Sequence, residues 1–174
     1  MKSFIVCGPE SSGNRLVAAI LARAGLSGSG STDQPTSFDI DYSRPWVIIN
    51  HWNRVREWVA YFHAKGHEVI MLIPIREAHA CASSMVERGH NKSYDAAVNH
   101  IPRVVGGNIH LAMSLGLRVE LIPYPSLAVP GMVKEFLRRH GLPTNIDEPL
   151  PLVGQVAPSQ PQNLDGKYYE DPRL

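Results

Sequence analysis

The sequence is poor in most of the features that announce a function. Its 174 residues carry 17 basic and 16 acidic side chains, a formal net charge of +1, so there is no broad basic field to hold duplex nucleic acid by its phosphates. Only two cysteines occur, Cys7 in an apolar run and Cys81 in a helix-like one. Their isolation excludes a disulfide framework or a metal knuckle, and both are expected to be buried thiols. The eight histidines show no HExxH or paired Cys/His spacing, so no metal site is expected. No Gly-x-Ser-x-Gly elbow supplies a hydrolase nucleophile. No apolar run approaches the roughly 20 residues that cross a bilayer, and the run ending at Cys7 is too short for a signal peptide. The expected setting is a reducing cytoplasm, a host's if the chain is viral, without membrane contact.

Alternation of short apolar runs with helical patterns fills most of the rest. Strands are expected at Ser3 to Cys7, Trp46 to Asn50, Glu68 to Ile75 and Arg118 to Tyr124. Helices are expected at Leu16 to Ala24, Trp52 to Lys65, Ala78 to Glu87 and Gly131 to His140. Tyr94 to Leu115 also reads as helix, but Pro102 and Gly106-Gly107 predict a bend or a split. Ser27 to Ser43, rich in Gly, Ser, Thr and Asp, reads as a mobile loop near a site. The order implies an α/β domain of three layers, α/β/α, around a central, mostly parallel sheet over residues 1–142. Residues 143–174 read as a Pro-rich tail packed on that domain.

Between the first strand and the first helix stands Gly8-Pro9-Glu10-Ser11-Ser12-Gly13-Asn14-Arg15. A glycine turn in this position aims backbone N–H groups and the positive end of a helix at one point, where a phosphate or sulfate fits. Ser11, Ser12 and Asn14 add side-chain donors, and Gly13 allows close approach. The spacing Gly8 to Gly13 equals that of the P-loop, yet Asn14 and Arg15 stand where that pattern requires Lys and Ser/Thr. At the end of the third strand comes Arg76, whose planar guanidinium suits a phosphate. Ser84 follows it on the next helix, and beyond lies the basic corner Arg88-Gly89-His90.

These segments resemble the sulfotransferase family, whose phosphosulfate loop needs no Walker lysine. Ser12-Gly13-Asn14-Arg15 stands where that family has Ser-Gly-Thr-Thr, and Arg76 with Ser84 resembles its arginine and serine, eight positions apart, on the donor's 3′-phosphate. The loop and the Arg-Gly-His segment are similar to those of short phage sulfotransferase-like proteins. The resemblance implies 3′-phosphoadenosine 5′-phosphosulfate as donor. Gly8 to Arg15 would then hold the phosphosulfate, Arg76, Ser84 and Arg88 the nucleotide, and Lys167 in the tail would supply the cation missing at Ser11, where the family has Lys or Arg. Arg15 can also supply that charge. His51, directly after the second strand, is the expected base, with His90 second. A P-loop kinase using ATP with Mg²⁺ on a nucleoside, nucleotide or modified DNA base, and a nucleotide-binding protein without catalysis, stay open as alternatives.

Overall fold

A computed structural model describes residues 1–28, 35, 37–49 and 54–145. The elements are β1 (Lys2–Val6), α1 (Asn14–Arg23), β2 (Val47–Ile49), α2 (Val55–Ala64), β3 (Glu68–Ile75), α3 (Ala78–Glu87), α4 (Tyr94–Ser114), β4 (Arg118–Pro123), a 3-10 turn (Tyr124–Ala128) and α5 (Pro130–Arg139). The four strands pair in the order β2-β1-β3-β4, parallel throughout. Phe4 lies opposite Val47 on one side and Ile70 on the other, and Met71 opposite Val119.

Period-two alternation divides the side chains into two cores. Phe4, Val6, Val47, Ile70, Leu72 and Ile122 pack with Leu16, Val17, Ile20 and Leu21 of α1 and Val133, Phe136 and Leu137 of α5. Ile5, Cys7, Ile48, Val69, Met71 and Ile73 turn to the other face and meet Val55, Trp58, Val59 and Phe62 of α2 and Ala112 of α4. The sheet is thus covered on both faces, which is why β3 is a continuous apolar run: Val69 to Ile73 are all nearly inaccessible. Each large apolar side chain buried this way contributes about 1.5–3 kcal/mol. Among the described residues no helix is long and apolar enough to cross a membrane.

Two expectations change. Helix α4 is neither split nor interrupted; it runs unbroken for 21 residues through Pro102. Pro102 and Gly106 lie on the exposed side, while Ala97, Ile101, Val104, Asn108 and Ala112 form a buried stripe at helical spacing. Packing along that stripe outweighs the one backbone donor that Pro102 lacks. The segment read as a mobile loop is, in its described part, packed on α2. Phe38 stacks on Tyr61 at 4.6 Å and meets Trp58 edge-on at 4.6 Å, with Arg54 over its ring at 4.2 Å. A buried polar chain anchors it further. The Trp46 N–H donates to Ser3 Oγ (2.9 Å), Ser3 Oγ lies 2.8 Å from His67 Nδ1, and His67 Nε2 meets the Tyr42 carbonyl at 2.8 Å. Of the expected tail, residues 146–174 lie outside the described residues.

At the amino end of the sheet, His140 Nε2 bonds the Glu120 carboxylate (2.9 Å), which also takes Arg139 (2.5 Å); the His140 ring is inaccessible and its Nδ1 has no partner. Burial holds the His140 pKa below its ordinary 6.5 despite the Glu120 charge that opposes the shift. The unfolded chain therefore binds a proton here before the folded one does, so stability is complete above about pH 6.5 and declines as pH falls below it. The melting temperature should drop between pH 7.5 and 5.5, and this drop should be smaller in His140→Gln; parallel pH profiles for the two proteins would contradict the assignment.

Candidate functional site

Chain order places the switch of the sheet between β1 and β3, because β2 lies on one side of β1 and β3 on the other. In open α/β sheets ligands bind outside the carboxyl ends of the strands at such a point. The glycine turn leaves the end of β1 there, and Arg76 leaves the end of β3. They meet: Arg76 Nη1 donates to the Ser11 carbonyl at 3.2 Å, and the guanidinium lies over the Tyr124 ring, 5.0 Å from its centre. The salt partners Glu77 and Glu87 that a surface arginine would take are not used.

The turn is built by its own side chains. Asn14, in the place of a P-loop lysine, accepts the Gly8 N–H on Oδ1 (2.8 Å) and donates Nδ2 to the carbonyls of Gly8 (2.9 Å) and Pro9 (3.2 Å). Ser12 donates its hydroxyl to the Pro9 carbonyl at 2.7 Å, with its backbone N–H on the same oxygen at 3.2 Å. Ser12 is therefore a buried brace, not the free donor that the sequence suggested. Ser11 adopts φ 61, a left-handed conformation that costs a non-glycine residue about 1–3 kcal/mol, and its Oγ is buried without a partner. Gly13 has φ 108, and a β-carbon there would stand 2.6 Å from the Tyr124 ring. Gly8 is equally crowded, by Ser12, Asn14 and Pro74.

No side chain caps α1, and among the described residues the N–H groups of Gly13 and Asn14 have no acceptor. The first turn of the helix thus points unused donors, with the positive end of the helix dipole, at the space beside Arg76. Arg15 follows at the first turn and is partly exposed.

Helices α3 and α4 close on the same turn. The Cys81 thiol donates to the Glu10 carbonyl (3.2 Å), and His100 Nε2 of α4 lies 3.6 Å from the Glu10 carboxylate. Asn108 of α4, wholly buried, donates to the Cys7 carbonyl, and its Oδ1 has no partner. Both cysteines are buried as expected: burial pushes Cys7 up to about 12 and Cys81 to about 11, so neither ionises near neutrality. Ser84 stands one turn beyond Cys81, hence on the side of α3 that meets the glycine turn, and is partly buried. Arg88 follows the last turn of α3, its N–H on the Ser84 carbonyl at 3.1 Å, and the His90 N–H bonds the Met85 carbonyl at 2.8 Å. These two stand a helix length, about 15 Å, along α3 from its start beside Arg76. His51 and Lys167 lie outside the described residues. Glu77 is occupied: its carboxylate caps α3 by accepting the N–H groups of His79 (2.8 Å) and Ala80 (2.7 Å), which hold its pKa below the ordinary range.

The contacts that Tyr124, Cys81, Asn108 and His100 make with the turn were not foreseen by sequence reasoning. They reach it from the 3-10 turn after β4, from α3 and from α4, and nothing in their local sequence reports that convergence. A groove of about 440 Å³ between β4 and α5, lined by Ile122, Leu127, Met132 and Phe136 among others, contains none of the expected site residues. No family model matches the chain, and no curated protein or solved structure matches it.

The close approach at Gly13 can be tested directly. Gly13→Ala forces a β-carbon against Tyr124 in a left-handed backbone and should destabilise the protein by at least about 1–3 kcal/mol in urea denaturation. Ser11→Gly, which removes both the strain and the unpaired hydroxyl, should be neutral or stabilising. A destabilised Ser11→Gly would mean that the hydroxyl has an undetected partner.

Proposed function

We propose that the chain is a small sulfotransferase-like enzyme that transfers a sulfuryl group from 3′-phosphoadenosine 5′-phosphosulfate to a hydroxyl or amine acceptor. The observation that carries the reading is the hydrogen bond joining Arg76 to Ser11, which brings the one arginine at the end of β3 to the turn whose Gly13 and Asn14 amides are unspent. The 5′-phosphosulfate sits on those amides with Arg15 beside it. Arg76 uses a single N–H on Ser11 and turns its remaining donors to the 3′-phosphate, with Ser84 on the neighbouring face of α3.

Asn14 favours this donor over ATP. A P-loop kinase sets a lysine between the β- and γ-phosphates, whereas the Asn14 amide is consumed by the carbonyls and N–H of its own turn. What remains is an anion cradle of neutral amides flanked by arginines, suited to the single charge of a sulfonate and to the phosphate that leaves it.

Adenosine 3′,5′-diphosphate, the product of such a transfer, should raise the melting temperature more than AMP or Mg-ATP does. In Arg76→Ala, calorimetry should show affinity for adenosine 3′,5′-diphosphate falling about 10–100-fold more than affinity for AMP, as expected for the loss of charged hydrogen bonds to one phosphate. Equal losses for both ligands would reduce Arg76 to a brace for the turn. A preference for Mg-ATP would replace the donor.

A further inference from the structure

We infer that Glu10, held by His100, takes the proton of the acceptor during transfer. This rests on the transferase reading above.

Glu10 lies inside the phosphate turn, three residues before Gly13. Its carbonyl accepts the Cys81 thiol (3.2 Å), and its carboxylate lies 3.6 Å from His100 Nε2. The pair is open to solvent: the Glu10 side chain is 33% accessible and that of His100 45%. A carboxylate beside an anion cradle works against binding. Two like charges 4 Å apart repel by about 1 kcal/mol in water and by several-fold more near a protein surface. A residue kept there for structure alone has no need of the charge, because its carbonyl already makes the contact with α3. The carboxylate instead lies 3.6 Å from an imidazole of α4 and open to solvent, which gives a proton taken there a route out.

The groups around Glu10 are ill suited to the task themselves. His100 from α4 and Cys81 from α3 meet Glu10, and the charges of Arg76 and of Glu77, the cap of α3, act on the same Cys81 thiol. The Cys81 thiol is pushed to about 11 by burial, Glu77 is committed to the α3 cap, and Arg76 is a cation.

In the step itself the acceptor O–H or N–H breaks and its proton goes to a Glu10 carboxylate oxygen. The freed electron pair forms the new bond to sulfur. The bond from sulfur to the 5′-phosphate oxygen breaks, its electron pair staying on that phosphate, and adenosine 3′,5′-diphosphate leaves the α1 amides. Glu10 then gives up that proton by way of the His100 ring, which releases it to water.

The test uses 3′-phosphoadenosine 5′-phosphosulfate with water as acceptor, reading sulfate release from pH 4 to 8, together with calorimetric affinity for adenosine 3′,5′-diphosphate. Glu10→Gln should slow release by about 10²–10⁴-fold while nucleotide affinity stays equal or improves. His100→Gln should lower the rate, by less than Glu10→Gln does, while nucleotide affinity stays unchanged. Melting temperatures of both variants report whether they fold, and Glu10→Asp, which keeps the carboxylate, should retain part of the rate. Wild-type release in Glu10→Gln, wild-type release in His100→Gln, or a rate lost in step with nucleotide affinity overturns the inference. If the wild-type protein binds adenosine 3′,5′-diphosphate but releases no sulfate, the inference falls and donor binding stands. If it does not bind the nucleotide, the transferase reading falls first.

Discussion

Arg76 donating to the Ser11 carbonyl is the contact on which the site depends. The pairing of β1 with β3 sets the two strand ends side by side, and this bond ties the far side of the glycine turn to the end of β3. With it, a left-handed serine is held in a conformation it disfavours, and the guanidinium is trapped between that carbonyl and the Tyr124 ring. Tyr124 in turn lies so close to Gly13 that only glycine fits, so the start of α1, the end of β3 and the turn after β4 form one rigid unit. Strain at Ser11 is sustained because several contacts over-determine it, the usual condition under which such backbone survives.

The turn is also closed from the opposite side. The Cys81 thiol bonds the Glu10 carbonyl and Asn108 the Cys7 carbonyl, so α3 and α4 hold the turn from a second side. Asn14 makes the turn self-supporting, linking its first residue to the first residue of the helix. The consequence is a turn whose shape is set by its own contacts; under the proposed transfer its ordering cost would be met by folding.

Much of this was legible in the sequence, and the reason is locality. β1, β3 and the helices carry their own periodicity, and Gly25, Gly66, Gly116 and Gly141, all at positive φ, stop helices where the pattern stops. The glycine turn announced itself by type and by its place between strand and helix, and Arg76 by its place at a strand end. What was illegible is long-range. Tyr124 is 111 positions from Gly13 and looked like the end of a strand. Ser12 looked like a free donor, and Phe38 like part of a mobile loop. Pro102 misled in the other direction, since a local rule predicted a break that the packing of Ile101, Val104 and Asn108 prevents. His51 and Lys167 belong to stretches whose composition gives no fixed partner to reason from.

The two inert thiols give the molecule a pair of built-in clocks. A thiol-specific reagent can attack neither Cys7 nor Cys81 until the surface that covers it opens, and both must first shed a proton they hold strongly. They are covered differently, however. Cys81 is closed off by the phosphate turn itself, through Glu10, whereas Cys7 is sealed under the sheet face between α2 and α4. The rate at which Cys81 becomes modified therefore times the breathing of the turn, and the rate at Cys7 times the separation of whole layers. A ligand that settles on the turn slows the first clock without needing to touch the second.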